Sequence, residues 1–278
     1  MLFHFLPGNF DGTAYRYEGE KKWGNTQYDN IRDEDDFKCL CCHNSDLAVG
    51  MVNDTIGRYQ LTNAAEQENL LYLIGIRMHV LADSWAHEFF AGTPNYWINE
   101  DEGKDKVEGP FVNHITAPDA VSYYSIFYLG HAQVGHWPDY GFLSYKYEPH
   151  WMKKGDSIRK NNPEIFLSAF YQMYTAMQCI LLNQTFVKQE YAFPAGQTIC
   201  TAGGNGITAG EIMAVLSDGT HSDQSAAWAG FIDTKLSERL DYDRKDPLYN
   251  LTDFCDNAGI HRNMVQLYVN GKGTSVQL

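Results

Sequence analysis

The stretch LLYLIGIRMHVLADSWAHEFF spans Leu70 to Phe90. Its apolar residues recur three and four apart, which predicts an α-helix with a wide buried face. On that helix His79, Asp83 and His87 follow one another at intervals of four. Residues four apart lie one turn above the other, so two imidazoles and a carboxylate project side by side from an apolar segment. Burying three such groups is costly unless something satisfies them. A divalent metal ion would satisfy all three at once. The plainer alternative is hydrogen bonding, with Asp83 and loop carbonyls as the histidines' partners.

Working outward, residues 1–38 read as irregular. A helix is expected from about Ser45 to Tyr59, with Ser45 as its N-cap, and the motif helix from Ala64 to Phe90, ended by Gly92-Thr-Pro94. Residues 95–115 read as polar loop. A third helix is expected to start at Thr116, with Pro118 in its first turn, and to stop between Gly135 and Pro138. A fourth follows Asn162-Pro163. Its stripe of Ile165, Phe166, Ala169, Phe170, Met173, Ala176, Met177, Ile180 and Leu181 reads as core. Residues 191–207 are turn-rich, with a short hairpin. Thr208 and Glu211 form a capping box that opens a helix to Leu216. Ser222–Leu240 and Asp253–Val269 are the last helical segments. The expected fold class is all-α, with one mostly helical, bundle-like domain over 1–278 and long loops.

The formal net charge is -14. That argues against a basic face for nucleic acid and against docking on anionic membranes. A phosphate ester stays open as a substrate, because bound metal ions would invert the local potential. No run of about 18 apolar residues suggests a transmembrane helix, and the first residues lack a signal-peptide pattern. The six cysteines show no paired Cys-x-x-Cys pattern, Cys39 and Cys42 being the single such spacing, and reduced thiols in a cytoplasmic setting are the default expectation. Cys39-Leu-Cys41-Cys42-His43 lacks a second ligand pair at finger spacing. No Gly-x-Ser-x-Gly elbow is present, which disfavours a serine hydrolase.

A second constellation is Gly130-His131-Ala-Gln-Val-Gly135-His136-Trp-Pro-Asp139. His131 and His136 would stand about 140° apart on an unbroken helix. They converge only if the helix breaks, and Gly135 and Pro138 supply that break. His4, in Phe3-His4-Phe5-Leu6-Pro7, reads as a core histidine or a distant ligand. His114, His150, His221 and His261 are isolated.

His79-x-x-x-Asp83 on a helix, a further histidine soon after and a later histidine-rich helix end resemble the zinc-dependent phospholipase C and single-strand nuclease superfamily. Phe3-His-Phe-Leu-Pro7, Asn44-Ser-Asp-Leu-Ala48, His79-Val-Leu-Ala-Asp-Ser-Trp-Ala-His87 and Leu129-Gly-His-Ala-Gln-Val-Gly-His-Trp-Pro-Asp139 more closely resemble an uncharacterised bacterial family of unknown function. This second resemblance spans about residues 1–185, and 190–278 reads as a C-terminal helical extension. The superfamily resemblance implies an all-helical protein with one to three zinc ions. His79 and Asp83 match its His-x-x-x-Asp pair, with Asp83 bridging. Its later His-x-x-x-Glu is not reproduced, because Gly135 and Tyr140 stand four after His131 and His136; Asp139 is the nearby substitute. Relatives of the second family carry an N-terminal stretch with a further His and Asp, which this chain is expected to lack.

The expected ligands are therefore His79, Asp83, His87, His131, His136 and Asp139, with Asp83 and Glu88 as catalytic candidates and Glu88 as the general base. The expected activity is hydrolysis of a small-molecule or lipid phosphoester, phospholipase C- or nuclease-like. The alternative is a non-catalytic helical binding or assembly protein, built on a structural metal or a buried histidine–aspartate network.

Overall fold

The computed structural model describes residues 4–10, 34–61, 63–99, 106–108, 129–149, 151–152, 155–188, 194–202, 205–218, 227–228, 230–231 and 234. The helices expected from Thr116 and over Asp253–Val269, and most of Ser222–Leu240, lie outside these residues.

Three long helices form the frame: α1 (Asp46–Leu61), α2 (Ala64–Ala86) and α4 (Asn162–Leu182), with the single turn α3 (Tyr96–Asn99) between them. Ser45 caps α1 as expected, its Oγ accepting from the Ala48 N–H at 3.1 Å. Ala48, Val52 and Ile56 of α1 pack with Met78 and Leu81 of α2 and with Ala176 and Ile180 of α4 in one core cluster. α4 ends where Asn183 adopts a left-handed conformation, φ 54°, which suits asparagine better than most residues. Among the described residues α4 is the one helix long and apolar enough to cross a membrane. Here it packs on α1, α2 and α5 and buries Asn162 and Gln172.

The fold is mixed rather than all-α. Of the described residues 52% are helical and 13% lie in strands. Strands β1 (Lys106–Glu108), β2 (Ser144–Tyr147) and β3 (Ile158–Asn161) form an antiparallel sheet in that order. Tyr145 pairs with Val107 on one side and with Lys160 on the other. The strand signal in β2 is a four-residue alternation, Tyr145 and Tyr147 inward and Ser144 and Lys146 outward, too short to outweigh the helical pattern around it. β1 sits inside the charged run that reads as loop. A second antiparallel pair, β4 (Thr198–Ala202) and β5 (Asn205–Thr208), is the expected hairpin. It leads into α5 (Ala209–Leu216), which opens on the full Thr208–Glu211 capping box. Hairpin and α5 pack on α4 through Leu167, Ile199, Ile207 and Ile212.

Four distant segments are joined by backbone hydrogen bonds. Gly8 N–H donates to Leu40 O at 2.7 Å, Cys41 N–H to Phe90 O at 2.8 Å, Phe89 N–H to Cys41 O at 2.8 Å and Gly130 N–H to Ala91 O at 2.9 Å. α2 therefore stops at Ala86, four residues short of the expected Phe90. Phe89 turns at φ 72°, and Phe90 and Ala91 leave the helix to join this junction. Close approach requires glycine at two points. A Cβ on Gly8 would fall 2.4 Å from Cys42 Cβ, and one on Gly130, at φ +57°, 2.2 Å from Phe5 Cζ.

Gly130→Ala is accordingly expected to cost about 1–3 kcal/mol in backbone strain alone, with displacement of Phe5 added to it. Urea denaturation measures this; unchanged stability would show that the junction yields freely.

Candidate metal centre

The junction places His4, His87 and His131 against one another. The His4 and His87 ring centroids lie 4.0 Å apart, and those of His87 and His131, nearly parallel, 4.9 Å apart. Asp83 reaches this group from α2. The 3-10 turn Trp137–Asp139 brings Asp139 from the other side. The break foreseen between His131 and His136 is present: Gly135 has φ 61°, and Pro138 stands in the 3-10 turn.

Each carboxylate gathers imidazoles. His4 Nδ1–H donates to Asp83 Oδ2 at 3.0 Å, and His79 Nε2 lies 3.2 Å from the same oxygen. His87 Nε2–H donates to Asp139 Oδ1 at 3.0 Å, and His136 Nδ1–H to Asp139 Oδ2 at 2.9 Å. The bond from Asp83 raises the His4 pKa from 6.5 against the effect of burial. Burial alone would raise Asp139; the His87 hydrogen bond, with His131 and His136 nearby, holds its carboxyl well below the usual range.

Two imidazole nitrogens stand outside this scheme. His131 Nδ1–H donates to Gly135 O at 2.6 Å, and burial pushes the ring pKa down to about 4. The ring is therefore neutral at pH 7 and its Nε2 is a bare lone pair. That lone pair lies 3.8 Å from Asp139 Oδ1. His87 Nδ1 is buried without a hydrogen-bond partner among the described residues, 3.8 Å from Asp83 Oδ1. The His131 lone pair and the unpartnered His87 Nδ1 thus both face carboxylate oxygens, each at 3.8 Å. A cation between nitrogen and oxygen, a metal ion or a proton, would satisfy each pair. The Nδ1–H bond to a backbone carbonyl is also the arrangement that orients a metal-ligating histidine.

Two sets of ligand atoms each lie within 4.8 Å of one another: His4, His87, His131 and Asp139, and His4, His79 and Asp83. Of the residues expected from sequence, His79, Asp83, His87, His131 and Asp139 come together. His136, largely exposed, stays outside both sets and holds Asp139 from behind. His4 is the residue that the sequence leaves between core histidine and distant ligand; no local spacing ties it to α2.

Glu88 is not brought to the cluster. It forms ion pairs with Lys160 Nζ at 3.0 Å and with His43 Nδ1, on the side where His43 stacks on Trp85. Burial would raise its pKa, but Lys160 and His43 bring it from 4.5 to about 2. The cysteines beside them are no part of a ligand set among the described residues. Burial raises the Cys41 thiol far above its ordinary value and takes Cys42 to about 12.

Fold and site together define a mixed helical and stranded protein with a histidine–aspartate candidate metal centre. The chain belongs to a family of unknown function, DUF6765, matched over residues 1–268, so the match runs on past residue 185 into the C-terminal part. No curated protein and no solved structure matches it. None of these comparisons links it to the phospholipase C and nuclease proteins that its motifs resemble.

Glu88, beside the site, gives the fold a pH signature. Its folded carboxyl ionises more readily than the unfolded one, so its stabilisation is complete above about pH 4.5. It is lost as the pH falls toward about 2. A displacement of that size is worth up to about 3 kcal/mol at neutral pH. Glu88→Gln is expected to lower stability at pH 7 and to flatten its decline between pH 4.5 and 3, measured by urea unfolding. A parallel decline in both proteins would assign the acid sensitivity elsewhere.

Proposed function

We propose that this chain is a metal-dependent phosphoester hydrolase. In this reading His87, His131 and Asp139 hold one divalent ion, His79 and Asp83 a second, and His4 stands between the two. Zinc suits a nitrogen- and carboxylate-rich donor set. The observation that carries the reading is the pair of imidazole nitrogens, His87 Nδ1 and His131 Nε2, that each face a carboxylate oxygen at 3.8 Å. When bound, the metal supplies Lewis acidity and a water acidic enough to ionise near neutral pH. The chain's own residues do the positioning. Gly135 O fixes the His131 tautomer, His136 orients Asp139, and Asp83 receives His4 and His79. The choice of phosphoester rests on the resemblance of His79-x-x-x-Asp83 and the later histidine-rich turn to zinc phosphoesterases.

One observation favours a second reading, a non-catalytic buried network: both carboxylates already receive two imidazoles each. Metal content separates the two. The purified protein, stripped and reloaded with zinc, is expected to retain one or more equivalents by plasma mass spectrometry. Asp83→Ala and His131→Ala are each expected to lose metal and to lower hydrolysis of bis(p-nitrophenyl) phosphate at least about 100-fold, the size of effect typical when a group stabilising transition-state charge is removed. His43→Ala, on the Glu88 side, is expected to keep its zinc. Equal zinc in all the variants would remove the assignment, and a protein that takes up none would support the network.

A further inference from the structure

In front of the cluster lies a cavity of about 410 Å³, within the range of small-molecule sites, roughly 300–1,000 Å³. It is divided in chemistry. His4, His79, Asp83, His87 and Asp139 form one end. The other end is Phe166, Phe170 and Met173 of α4, Ile212 and Leu216 of α5, and Trp228. Ala82 and Ala86 on α2 and Ala169 on α4 also line the cavity. These small side chains leave the space between the two helices open. Among the described residues no lysine or arginine lines it, so none of these neutralises the successive phosphates of a nucleic-acid strand.

The α4 stripe is thus shared between two tasks. Ala176 and Ile180 turn into the helical core, while Phe166, Phe170 and Met173 stay partly buried and line the cavity. The hairpin packs on α4 and fixes the first turn of α5: Ala209 N–H donates to Gln197 O and Gly210 N–H to Ala195 O, both at 2.8 Å. This anchors α5, which presents Ile212 and Leu216 to the cavity. An apolar wall facing a polar cluster gains free energy only from a ligand that is itself apolar at one end.

We propose, resting on the metal-centre reading above, that the site takes small phosphoesters bearing one apolar arm, alkyl or aryl. The phosphoryl group lies at the His–Asp end, and the arm lies on the wall formed by α4, α5 and Trp228. This gives the segment after residue 190 its role, as the specificity-determining side of the site.

The test uses non-hydrolysable phosphonates, methyl, butyl, hexyl and phenyl, titrated calorimetrically into the zinc-loaded full chain. Each methylene that enters the wall tightens Kd by about fourfold, the equivalent of about 0.8 kcal/mol. Hexylphosphonate is thus expected to bind at least about 100-fold tighter than methylphosphonate. Ala169→Phe, which fills the cavity, is expected to abolish that gain while zinc content stays as in the parent. Phe170→Ala, at a partly buried position, is expected to reduce the gain and serves if Ala169→Phe does not fold. Phenyl tighter than butyl would assign an aryl arm, and the reverse an alkyl arm. Affinity independent of chain length in zinc-loaded protein overturns the wall and leaves the metal centre standing. If the chain takes up no zinc, the metal reading and the phosphoryl half fall with it. The wall is then read separately from 1-butanol to 1-octanol: chain-length dependence removed by Ala169→Phe supports it, and a flat series overturns it.

Discussion

The site depends on the backbone junction that ties Gly8 to Leu40, Cys41 to Phe89 and Phe90, and Ala91 to Gly130. Phe5, Cys41, Phe90 and Val134 pack these segments into one core cluster, and the need of buried N–H and C=O groups for partners sets how their backbones pair. Gly8 and Gly130 let the strands approach more closely than a Cβ allows. His4 and His131 are carried in by this pairing, and His87 is held because α2 unwinds into the same junction just beyond it. The histidines therefore come from separate segments, yet the order of the junction fixes their relative positions.

The electrostatics follow from which carboxylate goes where. Asp83 stands in the last turn of α2 and Glu88 just past its end, and the two take different partners. Glu88 takes Lys160 and His43, which keeps a buried ammonium away from the histidine cluster. A cation there would compete with a metal ion for Asp83 and Asp139. Among the described residues Asp83 meets imidazoles, those of His4, His79 and His87. Buried His131 cannot supply a compensating proton, since desolvation keeps it neutral. The result is a cluster of imidazole nitrogens and carboxylate oxygens in which His87 Nδ1 has no hydrogen-bond partner among the described residues.

What the sequence reveals of this is uneven, for physical reasons. The i, i+4 run of His79, Asp83 and His87 is visible because helical geometry turns spacing into proximity. The Ser45 cap and the Thr208–Glu211 box are visible because capping is local chemistry. The break at Gly135 and Pro138 is visible for the same reason. His4 is not, because its place is set by pairing between Pro7 and Cys41, which no local period announces. The three-stranded sheet is missed because its strands are three or four residues long, shorter than a reliable alternation. The α4 stripe shows a subtler limit. Periodicity establishes that Phe166, Phe170 and Met173 share an apolar face with Ala176 and Ile180; whether that face meets other side chains or a cavity depends on what stands opposite.

What stands opposite is set by residue size on α2. Ala82 and Ala86 bracket Asp83 and His87 on the helix face turned toward α4. Large side chains there would close the space and convert the cluster into sealed core. Alanine keeps the helical propensity that α2 needs to hold the motif in register and adds almost no volume, so one choice serves both secondary structure and access. The polar end is then open on the side facing the apolar wall. Charge–charge and charge–dipole interactions at such a boundary are screened less than at an open surface. A ligand covering the wall would further exclude water from the histidines. Access to the cluster and the strength of its interactions are thus coupled through the alanines of α2 and the apolar face of α4.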